Sequence, residues 1–300
     1  MNKLIIILGP TGVGKTETSL SVAEYFHIPI INADSRQIYK GIPIGTAAPT
    51  PDEQKRVKHY MTEVLNIGDY YNASMFENDV LNLLNRLYEH SNIALMSGGS
   101  MMYIDAVCYG MGEIPTVSDE IRNEMKRRLS QEGLETLCQE LKELDPEYYE
   151  IVDKKNYRRV VHALEIIHTT GKPFSSFRTG EIKERPFDII KIGLNRPREI
   201  LYERINRRVD RMIAEGLVEE ARKMNGLRSF NALNTVGYKE LFNYFDGVWD
   251  LEEAIERIKG NTRRYCRKQL TWFKKDKDTK WFDLETNNVK EIINYIVGVV

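Results

Sequence analysis

The stretch Gly9-Pro-Thr-Gly-Val-Gly-Lys-Thr16 decides the fold class of this 300-residue chain. It follows an apolar run, Leu4–Leu8, that predicts a strand, and it precedes an amphipathic segment that starts near Glu17 and predicts a helix. Glycines let such a loop curl until its N–H groups surround a polyanion, and the helix that follows adds the positive end of its dipole. Lys15 supplies a cation, and the Thr16 hydroxyl can hold Mg²⁺. The pattern predicts a nucleotide-binding, ATP-binding type of loop that takes a phosphate-bearing small molecule.

The composition is that of a globular protein, since 42% of the residues are apolar and can form a sizeable core. The formal net charge is -1, so a nucleic-acid partner would be held by a local basic surface. Cys108, Cys138 and Cys266 are widely spaced and lack metal-binding spacing, which predicts a reducing compartment and no structural metal. No apolar run reaches membrane-spanning length, and no leader precedes the first strand. We expect a cytoplasmic protein with no membrane partner.

Three further apolar runs predict strands: Ile28–Asn32, Ile93–Met96 and Asp188–Leu194. Each is followed by polar residues, and helical stretches separate the runs. Strands that alternate with helices predict a parallel sheet, in which ligands sit beyond the carboxyl ends of the strands. The sequence therefore predicts an α/β fold with a P-loop NTPase-like parallel sheet core.

Between residues 112 and 185 the strand signal gives way to helices. Ser118 is placed to cap a helix that Gly133 ends, and later helical stretches cover 134–144 and about 156–169. This pattern predicts an inserted all-helical domain. The predicted domains are an α/β core with a helical C-terminal part, residues 1–111 and 186–300, and a helical insertion, residues 112–185.

The last third of the chain is helical and carries uneven charge. Four arginines share one predicted helix opposite an apolar face, and the stretch 261–275 interleaves basic and aromatic residues. For that stretch we predict a mixed role, in which Leu270, Trp272 and Phe273 are buried and the basic residues contact phosphates. The arginines of the predicted helix are Arg204, Arg207, Arg208 and Arg211. The basic residues of the stretch are Arg263, Arg264, Arg267 and Lys268.

The loop lacks the acid that usually accompanies it in nucleotide hydrolases. Such enzymes place an aspartate at the end of a neighbouring strand, whereas the run Ile93–Met96 ends in Ser-Gly-Gly-Ser. The carboxylate at a strand end here is Asp34, in the string Asp-Ser-Arg-Gln-Ile-Tyr. This difference favours a loop that grips a diphosphate leaving as a whole over one that transfers a phosphoryl group.

Several strings in this order along the chain resemble the tRNA dimethylallyltransferase (IPP transferase) family. The resemblance runs from residue 4 to about residue 275, and two of the strings are far more specific than the phosphate loop: Asp-Ser-Arg-Gln-Ile-Tyr and Gln-Leu-Thr-Trp. The strings are Gly9-Pro-Thr-Gly-Val-Gly-Lys-Thr16, Asp34-Ser-Arg-Gln-Ile-Tyr-Lys-Gly41, Gly45-Thr46-Ala47, Gly98-Gly-Ser-Met-Met-Tyr103, Ala163-Leu-Glu-Ile166 with Thr170-Gly-Lys-Pro173, Val236-Gly-Tyr-Lys239 and Arg267-Lys-Gln-Leu-Thr-Trp-Phe273.

The resemblance implies a reaction. A dimethylallyl group passes from dimethylallyl diphosphate to N6 of adenine 37, beside the anticodon of tRNAs that read codons beginning with U. In that reaction Asp34 is the base, Arg208 and Lys15 stabilise the leaving diphosphate, and Thr16 holds Mg²⁺ directly or through water. The residues implied to bind the diphosphate or nucleotide are Gly9, Pro10, Thr11, Gly12, Val13, Gly14, Lys15 and Thr16.

The resemblance also implies a partner, the anticodon stem-loop of tRNA, bound by a monomer. Recognition of this kind targets splayed loop bases, and adenine 37 must leave its stack to reach the base. The implied contact residues are Asp34, Ser35, Arg36, Gln37, Ser100, Arg122, Arg158, Arg159, Val160, Val161, His162, Asn234, Thr235, Val236, Gly237, Tyr238 and Lys239.

The chain departs from the family pattern at a few positions. The family usually has lysine at the position of Ala48, threonine at that of Ser100 and arginine at that of His162, and a different run at 152–156. These departures bear on substrate preference.

Other interpretations remain open from the residues. Asp34 could cap a turn, and Arg208 could be a solvated helix residue, with Arg204 then the cation of the site. Among activities, the alternatives are an isopentenyltransferase acting on AMP, ADP or ATP, a small-molecule P-loop kinase, and a non-catalytic nucleotide-binding regulator. The helical insertion and the basic stretch favour tRNA, since a mononucleotide needs neither.

Overall fold

A computed structural model describes residues 1–111, 115–178 and 182–300. These residues form two compact units, one made of Met1–Cys108 with Arg185–Val300, and the other of Tyr109–Glu184. Within the described ranges, no helix is both long and apolar enough to cross a membrane.

The first unit is built on a six-stranded sheet whose paired strands all run parallel. The strand order is β3-β2-β4-β1-β5-β6. Helices cover both faces of such sheets, which explains why Leu4–Ile7 in the central strand is a continuous apolar run that is 0% exposed. The strands are β1 Lys3–Leu8, β2 Ile30–Ala33, β3 His59–Tyr60, β4 Ile93–Gly98, β5 Asp188–Asn195 and β6 Lys280–Asp283.

Ten helices connect or extend the strands of this unit. The helix after β1 packs on the sheet through Leu20 and Val22, and the helix after β5 packs through Leu201 and Ile205, so both belong to one apolar core. The helices are α1 Lys15–Phe26, α2 Pro43–Thr46, α3 Pro51–Arg56, α4 Ala73–Tyr88, α5 Met101–Tyr109, α9 Arg198–Ala214, α10 Leu217–Met224, α11 Tyr238–Phe245, α12 Leu251–Phe273 and α13 Val289–Val299.

The second unit is helical in its described residues and has its own core. Leu137, Leu141 and Leu164 are 0% exposed at its centre. Asp145, 1% exposed, accepts hydrogen bonds from the main chain of Tyr148 and Ser175 at 3.0 and 2.7 Å, so it ties two segments together. The helices are α6 Asp119–Leu144, α7 Pro146–Ile151 and α8 Tyr157–Thr170. The helical insertion predicted over 112–185 includes residues 112–114 and 179–181, which lie outside the described residues.

The local signals that predicted these helices act as expected. Ser118 accepts a hydrogen bond from the N–H of Ile121 at 3.4 Å and begins α6. Gly133 interrupts that helix with φ 82° and ψ 166°, a non-helical conformation, but the chain resumes at once as a helix. Gly171 ends α8 in the left-handed region at φ 68°. The predicted stop at Gly133 is therefore a kink between two helical segments.

Candidate active site

The loop between β1 and α1 lies at the carboxyl end of the central strand. Gly14 has φ 118° and precedes the first residue of α1, a backbone conformation that a side chain would strain. Gly9 approaches β5 so closely that a Cβ atom there would lie 2.7 Å from the carbonyl oxygen of Leu194. These two glycines let the loop turn tightly from β1 into α1 while it passes close to β5, as the sequence motif predicts.

Side chains from distant parts of the chain hold the loop from outside. Arg204 Nε donates to the carbonyl of Gly12 at 2.7 Å, and Arg196 Nε donates to the carbonyl of Val13 at 2.8 Å. The C=O and N–H groups of one trans peptide point in opposite directions, so holding the Val13 carbonyl turns the N–H of Gly14 away from Arg196. The two arginines therefore preset the loop geometry that an anion needs.

Gln269 connects the loop to the neighbouring strand. Its side chain is 2% exposed, accepts from the N–H of Thr11 at 2.9 Å and donates to the carbonyl of Gly99 at 2.8 Å. A Cβ atom at Gly99 would lie 2.4 Å from Gln269 Nε2, which explains glycine after β4. Gln269 belongs to the Gln-Leu-Thr-Trp string, but its role depends on contacts made 258 residues away and has no local signal.

Lys15 lies in a crowded cationic environment. Its Nζ donates to the carbonyls of Gly9 and Pro10, each at 2.9 Å. Burial, with a further contribution from Arg208, lowers the pKa of Lys15 from 10.5 to about 8, and Asp34 opposes this shift. The site therefore has a surplus of positive charge that a bound anion would relieve.

Arg208 is the arginine of α9 that faces this environment. It is half-buried, and its Nη2 lies 3.5 Å from the carbonyl oxygen of Thr46. Burial lowers the pKa of Arg208, while nearby Asp34 raises it. Arg204 is exposed and held on the outer side of the loop, so the geometry selects Arg208 as the cation beside Lys15.

Asp34 follows β2 and lies near both cations. Its Oδ1 accepts hydrogen bonds from the N–H groups of Arg36 and Gln37 at 2.8 and 3.4 Å, so it does cap a turn. Both bonds use the same oxygen, which leaves Oδ2 as the atom able to accept a proton. The turn-capping interpretation and the catalytic one are thus compatible.

The side chains after Asp34 are fixed by neighbouring main chain and hydroxyls. Ser100 Oγ accepts from the N–H of Ser35 at 2.8 Å and lies 3.1 Å from Ser35 Oγ. Gln37 Nε2 donates to the carbonyls of Thr46 and Ala47 at 3.0 and 2.8 Å. Arg36 Nη1 donates to the carbonyl of Asn231 at 2.6 Å. Residues 35–37 are therefore held in place directly beside Asp34.

Some predicted RNA contacts have buried side chains. Val160 and Tyr238 are 0% exposed, and Val161 is 9% exposed. The two valines pack in the core of the second unit, whereas the Tyr238 hydroxyl donates to the buried Glu220. These side chains are withdrawn from solvent, and the RNA contact that the resemblance implies for the three residues stays a prediction. Gly237 is also buried, whereas Lys239, two residues further on, is exposed.

Ser100 is 7% exposed, and the remaining predicted RNA contacts have accessible side chains. Arg158 and Arg159 are exposed in α8, and the others are half-buried. The half-buried ones are Arg122, His162, Asn234, Thr235 and Val236. Ala48, where the family usually has lysine, is 8% exposed.

The C-terminal basic stretch forms much of α12. Phe273 is buried and Leu270 packs against the core, but Trp272 is 37% exposed and donates from Nε1 to Asp105 Oδ2 at 2.8 Å. The prediction that Trp272 is buried is therefore wrong: the helix turns the indole edge outward, where a carboxylate pairs its N–H. The basic residues Arg264, Arg267 and Lys268 are exposed, and Arg263 is half-buried against Asn206.

The oxygen donors near the loop suit Mg²⁺. Magnesium prefers six oxygen ligands and keeps several waters, so it needs few protein ligands when a diphosphate supplies others. Thr16, in the first turn of α1, is exposed and can offer its hydroxyl. In the described parts of the chain no cluster of three or more histidine, cysteine, aspartate or glutamate side chains could hold a metal without such a ligand.

The fold and site define a P-loop α/β protein in which a carboxylate, Asp34, lies near the lysine of the phosphate loop. Residues 37–276 match the sequence model of the IPP transferase family, and the chain belongs to this family. It is 60% identical over 282 residues to "tRNA dimethylallyltransferase 2" of Parabacteroides distasonis, covering 94% of each chain. It is 58% identical over 296 residues to "tRNA dimethylallyltransferase 1" of Phocaeicola vulgatus, covering 99% of this chain and 98% of the relative.

Solved structures agree with this assignment. A tRNA isopentenylpyrophosphate transferase from Bacillus halodurans is 36% identical with a TM-score of 0.73, covering 99% of this chain and 96% of that one. A eukaryotic dimethylallyltransferase acting on tRNA is 25% identical with a TM-score of 0.84, covering 99% of this chain and 80% of that one. The predicted family, the P-loop-like α/β fold and the prediction of a tRNA-modifying prenyl transferase are confirmed.

Proposed function

We propose that this chain transfers the dimethylallyl group of dimethylallyl diphosphate to N6 of adenine 37 in tRNAs that read codons beginning with U. The observation that carries the proposal is the placement of Asp34 near both Lys15 and Arg208, beside a phosphate loop. Two cations and the loop N–H groups suit a leaving diphosphate, and one carboxylate suits the proton of an amine. Within the described residues, β4 beside β1 ends without the acid that phosphoryl transfer uses.

The reaction balances with these groups. The N6 lone pair forms a bond to C1 of the dimethylallyl group while the bond from C1 to the bridging oxygen breaks, and the electron pair leaves with the diphosphate. The N6 proton passes to Asp34 Oδ2, because Oδ1 is engaged with the main chain of Arg36 and Gln37. General base catalysis of this kind contributes about 10² to 10⁴ in rate.

The cations act on charge that develops in the transition state. The diphosphate gains negative charge as the carbon–oxygen bond breaks, and Lys15 and Arg208 lie where that charge is held. Bound Mg²⁺ at Thr16 would neutralise part of the same charge. The diphosphate in turn favours the protonated form of Lys15, whose pKa the free protein lowers to about 8.

RNA is held by the exposed basic residues, acting on the phosphates, and by the main chain and side chains around Asp34. Arg264, Arg267 and Lys268 lie close together on α12, and Tyr265 among them lies near Asp34. Burial, and after it the charge of Asp34, raises the pKa of Tyr265. The basic surface of α12 is thus adjacent to the reacting centre. We propose that the protein works as a monomer in the cytoplasm.

The test separates the tRNA activity from its rivals. Purified protein is incubated with labelled dimethylallyl diphosphate, Mg²⁺ and either unmodified tRNA or AMP, ADP or ATP. We expect label in tRNA, and nuclease digestion should place it on N6 of adenine 37. Label that enters only a mononucleotide, or tight nucleotide binding without any transfer, would overturn the proposal.

The Asp34→Asn variant tests the base. The asparagine oxygen still accepts from the main chain of the turn, but the amide cannot take a proton. We expect kcat to fall by about 10² to 10⁴ while the dissociation constant for tRNA changes less than about threefold. Asp69→Asn is the matched control, because Asp69 also caps a turn: its Oδ2 accepts from the N–H of Asn66 at 2.7 Å. Normal turnover in Asp34→Asn would contradict the assignment.

A further inference from the structure

Glu220 is a buried carboxylate to which the reaction assigns no role. It lies in α10, is 8% exposed, and uses both oxygens on the short helix α2. Oε2 accepts from the N–H of Ile44 at 2.9 Å, and Oε1 accepts from the N–H of Gly45 at 2.8 Å. These N–H groups belong to the first turn of α2 and have no partner within the helix. Glu220 therefore caps a helix that lies 175 residues away in the chain.

Tyr238 completes this arrangement. Its hydroxyl donates to Glu220 Oε1 at 2.5 Å, and burial together with the charge of Glu220 raises the pKa of Tyr238, which keeps the donor proton in place. The ring lies so close to α2 that a Cβ atom at Gly45 would be 2.5 Å from the hydroxyl oxygen. Glycine at position 45 is thus required by the approach of Tyr238. The buried pair fixes where α2 lies and how it is turned.

The far end of α2 touches the candidate active site. The carbonyl of Thr46 accepts from Gln37 Nε2 at 3.0 Å and lies 3.5 Å from Arg208 Nη2. The carbonyl of Ala47 accepts from Gln37 at 2.8 Å, and Ala47 has a left-handed φ of 47°. The same four-residue helix therefore links the Glu220–Tyr238 pair to a proposed diphosphate cation and to a proposed RNA contact.

We infer that Glu220 is a positioning residue for the transfer reaction, which acts with Tyr238 through α2 to orient Arg208 and Gln37. The inference rests on the proposed function for the identity of the reaction. Charge-assisted hydrogen bonds to two helix N–H groups hold α2 in one place, and the carbonyls at its end hold the two side chains. Without the cap, α2 shifts and both side chains lose their common anchor.

The test uses Glu220→Gln, which keeps the size of the side chain. An amide has one acceptor oxygen, so its NH₂ group faces one of the N–H donors and that bond is lost. We expect kcat for transfer to tRNA to fall about tenfold while KM for tRNA changes less than about threefold. The matched control is Glu77→Gln. Glu77 is another buried glutamate, and its Oε1 lies 2.8 Å from Arg185 Nη2 in an ion pair that does not involve α2. Its kcat should stay within about twofold of the wild type.

Double-mutant cycles separate positioning from general stability. Glu220→Gln is combined with Arg208→Ala and, separately, with Gln37→Ala. In at least one of these pairs the loss of kcat in the double variant should be smaller than the two single losses combined. Effects that are additive in both pairs, an unchanged kcat in Glu220→Gln, or an equal loss in Glu77→Gln would each overturn the inference. Should Glu220→Gln fail to fold, Tyr238→Phe carries the same test, with an expected loss of about threefold.

A second readout distinguishes failure of this inference from failure of the proposed function. Absence of transfer to tRNA by the wild type would refute the proposed function alone. The affinity for Mg²⁺-pyrophosphate, measured by calorimetry, would then decide the positioning role. A dissociation constant about threefold larger in Glu220→Gln than in the wild type supports the positioning role, provided that Glu220→Gln does not raise the constant further when Arg208→Ala is already present. An unchanged dissociation constant in Glu220→Gln overturns the role.

Discussion

Lys15 carries a charge that its surroundings oppose. Burial lowers its pKa from 10.5 to about 8, Arg208 adds to the shift, and Asp34 counteracts it only in part. Because the pKa is lowered, the free folded protein holds this proton less tightly than the unfolded chain does. A bound diphosphate reverses the balance, since its charge favours the protonated amine. Ligand binding and protonation of Lys15 are therefore linked.

This linkage predicts how affinity depends on pH. The charged form binds the anion, so affinity for dimethylallyl diphosphate without tRNA should be highest below about pH 8 and fall as pH rises above it, by up to about tenfold per pH unit. Calorimetric titrations from about pH 7 to about pH 10 measure this dependence. Arg208→Gln should move the midpoint to higher pH, because removing a like charge raises the pKa of Lys15. A flat profile, or the same profile in Lys15→Met, would contradict the assignment.

The residues that could be predicted from sequence are those with a local signature. The phosphate loop and Asp34 stand directly after apolar strands, and their geometry is set by the turn in which they lie. Gln269 and Glu220 could not be found in this way, because each is defined by partners 258 and 175 or 176 residues distant. A buried glutamate or glutamine in a helix has no sequence pattern of its own. Its role can be identified only once the fold shows which N–H groups donate to it.

At the level of elements, three of the five arginines of α9 lie in three different environments. Arg204 holds the outside of the phosphate loop, Arg208 faces the site, and Arg207 is exposed and pairs with Glu203 of the same helix. The spacing of four places Arg204 and Arg208 on neighbouring turns of one face, so a single helix reaches both sides of the loop. The packing of α9 through Leu201 and Ile205 fixes this placement.

A series of arginine-to-glutamine variants tests this division. We expect Arg208→Gln to lower kcat/KM for transfer most, by about 10² or more, because it acts on transition-state charge. Arg204→Gln should cost about three- to tenfold, mainly in affinity for the diphosphate, because it loosens the loop. Arg207→Gln is the control and should change little, as exposed ion pairs contribute little. A larger loss in Arg204→Gln than in Arg208→Gln would reverse the assignment of the cation.

Edge strands are the elements that the sequence did not predict. The four predicted strands were the long apolar runs, whereas β3 has two residues and β6, Lys280–Asp283, has two aromatic residues between a charged residue at each end. A strand at the edge of a sheet is partly exposed and pairs on one side only, so it does not need a continuous apolar sequence. In α6, by contrast, Gly133 separates two helical segments, as the sequence predicts, and both segments contribute to one core.

At the scale of the whole molecule, a net charge of -1 conceals a local basic surface. On α12, Arg264 and Lys268 are exposed one turn apart, with Tyr265 between them near Asp34. Acidic residues elsewhere balance this charge, for example Glu252 and Glu253 in the first turn of the same helix. The overall charge therefore says little about RNA binding, and the placement of charge along one helix says much more.

The salt dependence of tRNA binding tests this surface. Each phosphate contact releases counterions, so the logarithm of the association constant should fall linearly with the logarithm of the salt concentration. Reversing two charges with Arg264→Glu and Lys268→Glu should flatten that slope by about 1.5 and weaken binding at low salt, because two contacts are lost. The control reverses Lys58, which directly precedes β3, and Arg86, in the last turn of α4 before β4, whereas the loop lies at the carboxyl end of β1. If both double variants give the wild-type slope, the basic surface of α12 does not contact RNA, and the phosphates must be held by other residues.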